Sequence, residues 1–404
     1  MYKIIPLLGL VLMVAFAYGI STDRKNIAWR TVLGGIAGQV IFGLFILKTK
    51  IGLTIFEAIK TGFQSILDFS LDGAKFIFGP LADMSQFGFI FGVIVPCTII
   101  FTSALMSILY HIGLMEKVVK LFARVMMKLM RTSGAESLSA AANIFAGQTE
   151  APLVILPYLK NMTNSELMAL MTGGMATVAG GVLAAYVGLG IDAGHLLAAS
   201  VMSAPAALAI AKLMVPETGQ PATAGTLKVS FPKNTENIID AAVSGTSDGL
   251  KLALNVVAML IAFIALIALI NGLFSWVGGI VGHPEFSFEL VMGYLFAPVA
   301  FLLGIPWNES LIVGNLIGKK LVLNEFVAYL DLKEVMGSLS ERSVIISTYA
   351  LCGFANFSSI AIQVGGIGAL VPERRKDLAR LGIKSLIAGT LACLMTAAIA
   401  SILI

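Results

Sequence analysis

Charge is what this sequence has least of. Of its 404 residues only 12% are Asp, Glu, Lys or Arg, while 58% are hydrophobic. That balance excludes an ordinary soluble globular chain. The scarcity is also uneven: 4–22, 31–47, 167–191, 252–282, 343–371 and 385–404 hold no charged side chain at all. Each run is near or above the roughly 20 residues that a spanning helix needs. The chain reads as an all-α, polytopic membrane protein. Residues 4–20 have small residues around Ala17 to Gly19, as a signal peptide does. The run is long, however, and a second span follows directly, so it is read as a retained span.

Cysteine and histidine are equally sparse. Cys97, Cys352 and Cys393 are scattered through apolar sequence without a CxxC pair, and His111, His195 and His283 lie far apart. The cysteines read as small core residues, and no Cys/His metal site is expected.

The few basic residues orient the spans. With the loop of Arg24, Lys25 and Arg30 on the cytoplasmic side, two later clusters fall on that side: Lys117 to Arg131, and Arg374, Arg375, Lys376, Arg380 and Lys384. So does the longest polar segment, 216–251, with Lys228, Lys233 and Lys251. Both termini then face outward, provided that 133–163 and 308–340 return to the side they start from. Within 113–131, Lys117, Lys120, Arg124, Lys128 and Arg131 recur at spacings of three and four, with Val118, Leu121, Val125 and Leu129 between them. The pattern predicts a helix with a basic face over an apolar one, lying along an anionic leaflet. Residues 51–70 carry a weaker version.

The chain also repeats itself. Glu150 is followed sixteen residues on by Glu166 in "NSELMALM", and Glu325 sixteen residues on by Glu341 in "LSERSVII". In each copy the second glutamate opens a long apolar span, interrupted at "MATVAGGVLA" (175–184) or at "CGFANFSSIA" (352–361). The topology above starts the two copies from opposite sides of the membrane. Inverted repeats with broken helices meeting near the midplane are the pattern of secondary transporters.

Polar groups gather where lipid-soluble sequence is expected. "IFAGQTEAPLVILPYL" (144–159) sets Gln148, Thr149 and Glu150 side by side. A charge inside a bilayer costs at least about 2.5 kcal/mol, so it faces a partner or a watery cavity. Glu150 and Glu325 sit at corresponding tips of the two hairpin-like segments, and Asn356, Ser358 and Ser359 add an amide and hydroxyls at the second break. No Lys or Arg occurs in 132–159, 161–211 or 343–373. An anionic substrate wants such a cation or a helix N-terminus, so the set suits a neutral solute rich in hydroxyl and N–H groups. A carboxylate accepts two hydrogen bonds from a vicinal diol, and Phe354 and Val182 suit a flat ring. Weakened helices at "GGMATVAGG" (173–181) and "CGFAN" (352–356) free carbonyls. With side-chain oxygens from Asn143 and Thr177, these suit a hard cation.

At "GQTEAPL" (147–153), "NEFVAY" (324–329) and "CGFANFSSIAIQVGGIG" (352–368) the chain resembles the concentrative nucleoside transporter family, of the bacterial, sodium-coupled type. The resemblance implies about eight transmembrane helices plus two re-entrant hairpins, an elevator-type carrier and a homotrimer. It implies that Gln148, Thr149 and Glu150 contact the nucleobase with Val182 beside it. Glu325, Asn356 and Ser359 would hold the ribose, and Phe354 would close the apolar side. The Asn143 and Thr177 side chains, with the carbonyls of Ala146, Thr177 and Val178, would hold sodium. Thr177 stands where that pattern has serine. The implied units are scaffold spans and interfacial helices in 1–131, a first transport repeat in 132–215, a linker, long span and interfacial helix in 216–307, and a second repeat in 308–404.

The expected function is sodium-driven import of nucleosides such as uridine across a bacterial inner membrane. Sodium is the coupling ion, lipid the surroundings, and no nucleic acid is involved. Other readings stay open. A proton-coupled carrier would use Glu150 or Glu325 as its titrating group, and an elevator-type carrier for another neutral polar solute would use the same cavity. An enzyme using the two glutamates as acid and base lacks a nucleophile, metal or leaving-group site, so no enzymatic activity is expected.

Overall fold

A computed structural model of the chain describes residues 3–225, 235–280, 282–283 and 286–404, the Met84 side chain aside. Lys228 and Lys233 lie outside the described residues. Among those described, every regular element is helical. The first part runs α1 (Ile4–Gly19), α2 (Trp29–Lys48), α3 (Lys50–Phe78), α4 (Met84–Phe87), α5 (Phe91–His111) and α6 (Leu114–Met130). Next come α7 (Gly134–Ala142), α8 (Ala151–Val154), α9 (Leu156–Leu159), α10 (Asn164–Ala176), α11 (Gly180–Gly188) and α12 (Ala193–Met214). The remainder is α13 (Ile238–Ile280), α14 (Phe288–Leu302), α15 (Trp307–Val322), α16 (Glu325–Val335), α17 (Glu341–Leu351), α18 (Phe357–Leu370) and α19 (Arg375–Leu403).

Among the described residues six spans are long and apolar enough to cross a bilayer: α2, α5, α10 with α11, α12, α13 and α19. A seventh arises if α14 and α15, bent by 116° at a short break, form one span, and α1 and α18 are shorter apolar helices. Small residues let the inner helices approach, as packing without a hydrophobic drive requires. Ala176, Ala206, Ala207, Ala392 and Cys393 form one fully buried cluster between α10, α12 and α19. The 43-residue α13 is the opposite case, exposing Ile261, Leu269 and Trp276. It meets α5 at Gly245 and Gly249, where a Cβ would lie within 2.8 Å of Ser107 Cβ and Ser103 Cβ respectively.

The basic segments do share one end. Thr22 N–H donates 2.9 Å to the Met214 carbonyl, and the Thr31 hydroxyl donates 2.9 Å to that of Met130. Arg374 reaches the carbonyls of Lys160 (3.1 Å) and Met162 (2.5 Å). At the other end Arg342 donates to the Ser401 carbonyl at 2.7 Å, and Lys60 pairs with Asp192 at 3.3 Å.

A further stripe appears at α6. Lys117, Arg124, Lys128 and Arg131 are exposed, and a second apolar row, not singled out in the sequence, packs on the protein. Leu121 and Val125 are 59% and 41% exposed, while Met115, Val119, Ala123, Met126 and Met130 face the protein. The helix carries three stripes, with the Leu121–Val125 row left for the membrane.

Both re-entrant segments are hairpins tied at their bases. In the first, Ser133 and Thr163 each open a helix through a capping box, with Glu136 and Glu166 as the reciprocal acceptors. The Ser133 hydroxyl then donates 2.6 Å to Glu166, joining the two feet. Pro152 and Pro157 sit in the first turns of α8 and α9, where a missing N–H is harmless. In the second hairpin Ser340, the cap of α17, donates 2.9 Å to Glu309 at the start of α15. The spans that follow break in register: α10 ends at Ala176 and α17 at Leu351, each ten residues after its glutamate.

Candidate functional site

The two breaks cross. Phe354 N–H donates 3.2 Å to the Thr177 carbonyl. Gly353 lies so close that a Cβ would sit 2.9 Å from the Met175 carbonyl oxygen. The first hairpin closes on this crossing from one side, its Phe145 carbonyl accepting Gly180 N–H at 2.9 Å.

Around the crossing, the start of α18 holds both hairpin tips. Asn356 caps α18 by accepting Ser359 N–H at 2.9 Å, and Ser358 donates to the same oxygen at 2.7 Å. The Asn356 amide donates 3.2 Å to Glu325 at the second tip. Ser359 Oγ accepts 3.1 Å from Gln148 Nε2 at the first. All four interacting side chains, Gln148, Glu325, Asn356 and Ser359, are buried. Thus residues 148 and 325, far apart in sequence, are joined through Ser359 and Asn356 at the start of α18.

The other expected contacts are looser. Thr149 and Glu150 are exposed, and Glu150 turns back to accept Gly147 N–H at 3.0 Å instead of joining the Gln148 cluster. Val182 is buried on α11, one turn before Tyr186. Phe354 is half-buried at the crossing.

Two residues that sequence reasoning passed over belong here. Tyr186 donates 2.8 Å to the other oxygen of Glu325. Its ring lies against Tyr329 and Phe326, with centroids 4.5 and 5.1 Å away. Gln363 donates 2.9 Å to Gln148. A lone Gln in a charge-free run was the only available signal for the second, and nothing distinguished Tyr186 from core.

The Asn143 and Thr177 side chains both approach Gly173 of α10. Asn143 donates 3.0 Å to the Ser139 carbonyl, and its Oδ1 is buried without a hydrogen-bond partner. Gly173 faces it, a Cβ there falling 3.2 Å from Asn143 Nδ2. The buried Thr177 hydroxyl donates 2.9 Å to Gly173, leaving its lone pairs free to coordinate. Among the described residues no backbone N–H outside the helices donates to the Ala146 or Val178 carbonyl. An orphaned buried acceptor costs about 1–3 kcal/mol, and a small cation among neutral oxygens removes that penalty. The residues fit a sodium ion.

Comparison with known proteins decides the family. Family models described as "Na+ dependent nucleoside transporter" match residues 8–81 (N-terminus) and 195–401 (C-terminus), and one described as "Nucleoside recognition" matches 93–192. The chain belongs to the sodium-dependent nucleoside transporter family. Transporter YutK of Bacillus subtilis (strain 168) is 47% identical across 98% of both chains. Solute carrier family 28 member 3 of Eptatretus stoutii is 43% identical over 99% of this chain and 60% of its own length. Sodium/nucleoside cotransporter 1 of Rattus norvegicus is 40% identical over 99% of this chain and 64% of its own. The nucleoside transporter fold is equally evident. The structure of CNTnw in an inward-facing substrate-bound state superposes with a TM-score of 0.94 at 44% identity, covering 100% of this chain and 98% of that one. A double variant of CNTnw in an outward-facing state gives 0.94 as well, at 43% identity and the same coverage. The chain is therefore an elevator-type membrane carrier and not an enzyme, with sodium as its coupling ion.

Proposed function

We propose that this protein imports nucleosides of the uridine kind by sodium symport, with alternating access around a site between the two hairpin tips. The observation that carries the reading is the double hold of α18: Asn356 on Glu325 and Ser359 on Gln148. On binding, the ribose hydroxyls donate to Glu325, whose two oxygens Tyr186 and Asn356 already orient. Asn356 and Ser359 complete the sugar end. The base lies against Gln148, Thr149 and Glu150, with Val182 and Phe354 on its apolar faces. No lysine or arginine occurs in 132–159, 161–211 or 343–373, which accords with a neutral substrate.

Sodium, a co-substrate, enters between Asn143, Thr177 and the carbonyls of Ala146, Thr177 and Val178. Its coordination joins hairpin to broken helix and so preorganises Gln148 five residues further along the same tip. That is a physical route to coupling. The transport unit comprises 132–215 and 308–404. Residues 1–131 and 216–307 form the scaffold, which assembles as a homotrimer in the bacterial inner membrane, the exposed apolar face of α13 supporting its place there.

Counterflow in proteoliposomes tests the substrate class. Liposomes loaded with unlabelled uridine should accumulate radiolabelled uridine, and external sugars or dicarboxylates should not compete. Accumulation blocked equally well by a sugar or a dicarboxylate contradicts the assignment.

A further inference from the structure

Gln363 lies on α18 one turn beyond Ser359 and is 1% exposed. Its Nε2 donates twice, 3.0 Å to the Met171 carbonyl of α10 and 2.9 Å to Gln148 Oε1. The first bond fixes the direction of the second. A backbone carbonyl only accepts, so Gln363 must turn its NH2 group toward Met171. The remaining hydrogen of that group then reaches Gln148, which must answer with its carbonyl oxygen. Gln148 consequently sends its own NH2 the other way, onto Ser359 Oγ at 3.1 Å. Gly174 provides the room, since a Cβ there would lie 2.8 Å from both Gln148 Cβ and Gln363 Nε2.

We propose that Gln363 is a positioning residue that fixes which end of the Gln148 amide meets the nucleobase, so that base selectivity is set from the Met171 carbonyl. This rests on the reading of Gln148 as a base contact. Nucleobases of one shape differ by exchanging donors for acceptors along an edge: uracil offers N3–H and a 4-carbonyl where cytosine offers a bare N3 and a 4-amino group. An amide that is free to turn over satisfies either. One held in a single orientation discriminates, because the wrong base leaves buried polar groups unpaired.

Three variants in proteoliposomes test it: Gln363→Glu, Gln363→Met and Gln148→Ala. KM and kcat are measured for uridine, cytidine and 2′-deoxyuridine. The carboxylate of Gln363→Glu accepts from Gln148 and turns its amide over, and the apolar Gln363→Met leaves it unpinned. Both should move the uridine-to-cytidine KM ratio, by at least roughly tenfold for the glutamate. The ratio of uridine to 2′-deoxyuridine should move far less than the base ratio. A structural role would instead lower transport of all three alike. If Gln148→Ala moves the base ratio while both Gln363 variants keep it parental, the inference is overturned. If Gln148→Ala itself leaves the base ratio parental, the base-contact reading falls, and this inference with it.

Discussion

Glu325 receives one donor on each oxygen, Tyr186 at 2.8 Å and Asn356 at 3.2 Å. A glutamine there has one acceptor and one NH2, so one of the two donors must lose its partner, a penalty of about 1–3 kcal/mol. Glu325→Gln should therefore weaken uridine binding about tenfold or more while the protein still assembles. 2′,3′-Dideoxyuridine should compete poorly with labelled uridine on the parent; equal competition would mean that Glu325 does not hold the ribose. This residue was legible in the sequence because a carboxylate in apolar surroundings demands an explanation. Gln148, Asn356 and Asn143 were legible on the same ground. Tyr186 and Gln363 were not. An aromatic or a single amide within an apolar run looks like packing until its partners are known. Nor does sequence tell that Glu150 turns back on Gly147.

At the scale of elements, the breaks were legible in the small residues of "GGMATVAGG" and "CGFAN", and the hairpins in the requirement that two segments return to the side they start from. What escaped was which apolar stripe of α6 meets the protein, because periodicity finds stripes without assigning neighbours. The foot of the first hairpin was also invisible. Lys212 at the end of α12 lies 2.6 Å from Glu136 in α7 and 3.1 Å from Glu217, and is only 4% exposed. Glu136 comes from a segment far from the other two in sequence, and each charge is ordinary in isolation. Removing the lysine leaves a buried carboxylate without its cation, which costs about 3–5 kcal/mol. Lys212→Ala should thus lower the unfolding temperature in detergent sharply, and pairing Lys212→Met with Glu136→Gln should recover much of it. A Lys212→Ala protein that melts like the parent would show that the foot is held by other contacts.

For the whole molecule, the inverted repeat was readable from two glutamate pairs of equal spacing, and the structure brings its two breaks into contact at Thr177 and Phe354. The distribution of basic residues likewise foretold which loops share an end. The proposed cation site depends on that architecture, since Asn143 comes from a hairpin and Thr177 from the span it closes on. On that proposal, coupling is a property of the assembled fold rather than of any one carboxylate. The most direct test is uridine uptake into proteoliposomes under an imposed inward sodium gradient, compared with an imposed pH gradient without sodium. Sodium should drive accumulation in the parent and tighten uridine binding, and Asn143→Leu should weaken that binding and remove its dependence on sodium. Uptake that ignores sodium and follows the pH gradient would contradict the account and move coupling to Glu150 or Glu325.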